Sequence, residues 1–116
     1  MPITKLQFEL GINEEIEAVM RKIASFLEQH KDEAYNLEEL WQEEFGSASL
    51  PSVAAFHAVY PYEPHLYRDE SVPLEQRRFI YALNKLLDHG VVQQREVSDV
   101  LYYSIGTVRL TQLLKS

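Results

Sequence analysis

Cysteine is absent from the 116 residues, which excludes disulfides, thiolate metal centres and cysteine nucleophiles. Glycine occurs only four times, never in the clustered spacing that cradles a phosphate, and no nucleophile elbow is present. No apolar run approaches the roughly eighteen residues needed to span a membrane. The opening segment MPITKLQFELGINEE places acids where a secretory signal would carry its apolar core. A cytoplasmic location is the expectation. Positive charge is scarce too: 11 Lys and Arg stand against 18 Asp and Glu, a net charge of −7. That is the wrong sign for a strong nucleic-acid binder.

The imbalance is local. Residues 1–50 hold four Lys or Arg and eleven Asp or Glu, whereas residues 51–116 hold seven of each. Between Leu74 and Arg95 the excess reverses to +2, with Arg77, Arg78, Lys85 and Arg95 against Glu75 and Asp88. An acidic half and a balanced half would face different partners. The length suits one domain, 1–116, with one modest core.

The chain is organised around residues 71–105, SVPLEQRRFIYALNKLLDHGVVQQREVSDVLYYSI. Phe79, Ile80, Leu83, Leu86 and Leu87 make one apolar stripe at helical period, predicting a helix over 73–89. Pro73 suits its first turn, and Gly90 its left-handed exit. At 100° per residue, Arg77, Arg78, Tyr81, Asn84, Lys85 and Asp88 fall on the opposite face. Two β-rich runs follow, VVQQR and VLYYSI, predicting a hairpin over 91–105 whose polar tip is Glu96-Val97-Ser98-Asp99.

Upstream, Asn13 caps a helix predicted to reach His30, with Glu14 and Glu15 at its positive end. Its stripe of Ile16, Val19, Met20, Ile23, Phe26 and Leu27 is core-forming. Asn36 and Glu39 have capping-box spacing at the start of a helix over 37–45, with Glu39 reaching back to the cap amide. Before Asn13, the alternation from Leu6 onward suggests a short strand or a packed arm. A short uncharged helix is expected near 51–60, and a last one in TVRLTQLLKS with Thr107 as its cap. The fold class expected is therefore mainly α with a small β-hairpin.

Helix, glycine, strand, short tip and strand form the back half of a winged helix. LNKLLDHGVVQQREVSDVLYYSIG resembles the winged helix-turn-helix superfamily, in particular small bacterial regulators of the arsenic-repressor type. The resemblance covers the 73–105 helix and wing, about a third of the chain. It departs from the family pattern in an insertion, 47–72, ahead of the last long helix. Since that family senses metals largely through cysteines, its sensing function does not carry over.

The resemblance implies a DNA-binding regulator in which Arg77, Arg78, Tyr81, Asn84 and Lys85 on the helix, with Arg95 near the wing, meet bases and phosphates. Regulators of this shape usually pair, so a homodimer on double-stranded DNA is expected. The alternative is an acidic protein-interaction module. It would use the loop Tyr60-Pro61-Tyr62-Glu63-Pro64-His65-Leu66-Tyr67, with Tyr60, Tyr62, His65 and Tyr67 as partner-binding residues. Those tyrosines could equally pin a long connection to the core. His57, Glu63 and His65 are too dispersed to predict a metal site, and no cofactor or enzymatic activity is expected.

Overall fold

A computed structural model describes residues 2–45 and 74–114. The expected helix 51–60 and the aromatic loop lie outside the described residues, as do His57, Glu63 and His65. Helix α1 spans Lys5–Leu10 and α2 spans Glu14–Gln29; strand β1 is Tyr35–Asn36, leading directly into α3, Leu37–Phe45. Helix α4 spans Leu74–Asp88, followed by β2 (Val92–Val97), β3 (Val100–Ile105) and α5 (Leu110–Leu113). The strands form one antiparallel sheet in the order β1-β3-β2. The molecule is an α+β fold.

The helices start where their caps require. Asn13 accepts a hydrogen bond from the Ile16 amide at 2.9 Å, and three acids occupy the first turn of α2. At α3 the predicted reciprocal box is present: the Glu39 amide donates to Asn36 Oδ1 at 2.8 Å, and the Asn36 amide donates to Glu39 Oε1 at 3.0 Å. The same device opens α1, where the Gln7 amide donates to Thr4 Oγ1 and the Thr4 amide to Gln7 Oε1, both at 3.0 Å. The N-terminal segment is thus a helix, and the strand suggested by its alternation does not form. The Thr4–Gln7 box satisfies the amides that a lone strand would leave unpaired. At the other end, α5 begins after Arg109 with no side-chain cap, so Thr107 does not act as one.

Helices α2 and α4 pack along each other, and α3 closes the end of the core with Trp41 edge-on to Phe79, centroids 5.1 Å apart. Ile16, Met20, Ile23 and Leu27 from α2 meet Phe79, Ile80, Leu83 and Leu86 from α4 in one cluster. Alternation along the hairpin sends Val92 and Tyr103 into that cluster, and Gln94 Nε2 donates to the Tyr103 hydroxyl at 3.0 Å.

Two glycines set the helix-to-hairpin corner. Gly90 leaves α4 with φ +76°, as expected of that position. Gly106 donates its amide to the Val91 carbonyl at 2.7 Å, and a Cβ there would stand 2.2 Å from the Gly90 carbonyl oxygen. Any side chain at 106 would force the two turns apart.

The hairpin is tighter than its sequence suggested. Val97 pairs with Val100, so only Ser98 and Asp99 form the loop, both with positive φ (51° and 68°). This is the signature of a type I′ two-residue turn, whose twist matches that of the strands it joins. Glu96 and Val97, expected in the tip, belong to β2.

Candidate interaction surface

The helix face opposite the α4 stripe is not an open one. The Tyr81 hydroxyl donates to the Gly11 carbonyl at 2.6 Å, binding α4 to the α1–α2 connection. Lys85 Nζ sits 5.3 Å from the centroid of the Tyr81 ring, a cation held over an aromatic face. Arg78 is half-buried and pairs with Glu15 at 3.6 Å, while its Nε is enclosed without a hydrogen-bond partner. Arg77 is half-buried and engaged within the chain.

Asn84 departs furthest from its assigned face. It is only 3% exposed, with Nδ2 donating to the Ile80 carbonyl at 2.9 Å and Oδ1 left without a partner. The exposed positions of α4 are Leu74, Glu75 and Asp88. None is a cation. Of the six residues expected to meet DNA, Arg95 alone is exposed, and it lies on β2 while the other five are on α4. Tyr60, Tyr62, His65 and Tyr67 lie outside the described residues.

The hairpin offers the more accessible surface. Its base is buried at Val92 and Tyr103, but its outer half runs past the helices: Val97 is 55%, Val100 40% and Leu101 37% exposed. These are three of the six large hydrophobic side chains that the described residues expose; Ile3, Phe8 and Leu74 are the others. An apolar cluster at a loop tip is unusual, because loop tips normally carry the polar side chains.

Two concavities flank the hairpin. One, of about 380 Å³, lies on the sheet face turned away from the helices and is lined by Ala34, Gln93, Arg95, Val97, Tyr102 and Ser104. The other, of about 320 Å³, lies between the hairpin and the start of α3 and is lined by residues 36–38, 99–101 and Tyr103. In the second, Leu37, Val100 and Leu101 supply the apolar floor and Glu38 and Asp99 the rim.

The ionisation of the hairpin's aromatic anchor follows from its burial. Desolvation raises the Tyr103 pKa above 10.0, and the hydrogen bond from Gln94 opposes that shift. Tyr35, beside the second groove, is also raised, by desolvation and then by the neighbouring charge of Glu33. Both are neutral at physiological pH.

No His, Asp and Glu grouping among the described residues could hold a metal ion, and no described helix is long and apolar enough to cross a membrane. Comparisons with protein-family models, curated proteins and solved structures found no match to the chain. Sequence reasoning missed the groove by α3 because the pattern predicts a four-residue hairpin tip and does not foresee β1. The signal was available in Val97-Ser98-Asp99-Val100, two β-branched residues around a two-residue loop.

Proposed function

We propose that the chain is a winged-helix-type interaction module whose partner is a protein rather than DNA. The element order helix, strand, helix, helix, strand, strand, with the middle position of the sheet taken by the last strand, supports the winged-helix reading. One observation carries the choice of partner: the exposed positions of α4 hold no cation, and Arg78, Tyr81, Asn84 and Lys85 serve contacts inside the molecule. A helix that reads a groove needs those groups outward. The hairpin does not replace them, since Arg95 is outweighed by Glu96 and Asp99.

Titration of a fluorescent duplex with the full chain tests this. No binding is expected at either 50 or 200 mM salt. Each neutralised phosphate contributes about −0.9 to the slope of log affinity against log salt, so use of two to four cations would give about −2 to −4. Retention of duplex with such a slope, lost on Arg77→Ala with Lys85→Ala, would overturn the reading and restore the regulator. The homodimer implied by the resemblance is a separate proposal. The exposed Phe8 and Ile3 on the N-terminal helix and its lead-in are the surface for it.

A further inference from the structure

We infer that the groove between the hairpin tip and the start of α3 binds a cationic segment of a partner protein, one that presents apolar side chains flanked by lysine or arginine. The inference rests on the interaction-module reading and specifies the partner's chemistry. The floor is Leu37, Val100 and Leu101, with the ring of Tyr103 behind them. Val100 and Leu101 are 40% and 37% exposed, so apolar surface stays in water that a partner would cover.

The rim is acidic from both sides. Glu38 comes from the first turn of α3 and Asp99 from the hairpin loop. Glu96 stands beside Leu101 across the strand pair. None of the three carboxylates forms an ion pair or a side-chain hydrogen bond within the described residues, whereas Glu15, Glu17 and Glu28 are matched by arginines. Apolar floor and uncompensated acidic rim together select the complementary charge. The first fifty residues carry the whole net charge of −7, so approach of a cation is favoured from a distance as well. On the opposite face of the hairpin, the larger concavity carries Arg95 and no carboxylate, so the two sides differ in sign.

The probe is a helical peptide with leucines at i, i+3 and i+4 spacing and lysines elsewhere, together with its glutamate counterpart. Both are titrated against the full isotope-labelled chain at low salt. The lysine peptide is expected to bind at least tenfold tighter than the glutamate peptide and to shift the amides of Leu37, Glu38, Asp99, Val100 and Leu101. Leu101→Ser should weaken it about tenfold, and Glu38→Gln with Asp99→Asn by a similar factor. These positions are exposed and Asn is tolerated at positive φ, so folding is preserved and can be checked by an unchanged melting temperature.

Equal affinity for the variants overturns the inference, as do shifts confined to Glu14–Glu17 or to Gln93, Arg95 and Ser104. Failure of the lysine peptide to bind at all overturns it too. That result leaves the interaction-module reading standing, which falls only if duplex DNA is retained.

Discussion

Asn84 shows how a single polar atom can limit a small core. Its amide nitrogen bonds the Ile80 carbonyl, a group already used by the helix, while its oxygen sits enclosed and unpartnered. An unsatisfied buried acceptor costs about 1–3 kcal/mol, more than the weak bond on the nitrogen returns. Asn84→Leu, of similar shape and apolar, should therefore raise the urea midpoint by the equivalent of about 1 kcal/mol. A lower midpoint would mean that a buried water satisfies the oxygen and that its loss is the larger effect. Tyr103 gives the complementary case at high pH. Its folded pKa lies above the unfolded value of 10.0, so the folded state holds its proton longer. The stabilisation is then fully present below pH 10 and is lost as pH rises through the raised folded value. Melting curves at pH 8, 10 and 11 should show this fall for the natural chain and a shallower one for Tyr103→Phe. Identical slopes would show that Tyr103 ionises as it does unfolded.

At the scale of elements, the hairpin is held by its pairing and strained at its turn. Ser98 and Asp99 both adopt the left-handed region, where an L side chain other than Asn or Asp meets the following carbonyl. Asn-Gly suits a type I′ turn best, so Ser98→Asn with Asp99→Gly should stabilise the chain by about 1 kcal/mol, measured by thermal denaturation. A loss of stability would show that the Ser98 or Asp99 side chain makes a contact worth more than the strain. The long elements were legible because local rules decide them. The stripes of α2 and α4, the Asn36–Glu39 box and the Gly90 exit all stand where the pattern placed them. What escaped was decided at long range. Two residues of β1 carry no periodicity and become a strand only by meeting Tyr102 and Tyr103. The outer face of α4 looked open because a helical wheel shows polarity but not coverage. A partner 70 residues away, Gly11, accepts the Tyr81 hydroxyl and closes that face. The groove by α3 needed both facts at once, the existence of β1 and the short turn, so no single stretch announced it.

Across the whole molecule, the dominant long-range term is the excess of seven negative charges, all contributed by the first fifty residues. Ion pairs at or near the surface oppose it: Arg21 with Glu17, the half-buried Arg78 with Glu15, and Arg109 with Glu28, the last joining the lead-in of α5 to α2. Such pairs contribute roughly 0–1 kcal/mol each, and salt weakens them. Salt also weakens the repulsion among the remaining acids, which act at separations beyond the Debye length of about 10 Å at 0.1 M. Because unmatched acids outnumber matched ones among the described residues, screening should favour the folded state. The melting temperature is expected to rise by about 2–5 °C between 10 and 200 mM sodium chloride. A melting temperature that falls would show that the ion pairs outweigh the repulsion. Over the same range, affinity for a cationic segment should decrease, since screening removes the attraction that selects it. Stability and affinity therefore respond to salt with opposite signs. Both follow from one cause, the screening of negative charge, which weakens repulsion within the fold and attraction at the proposed groove.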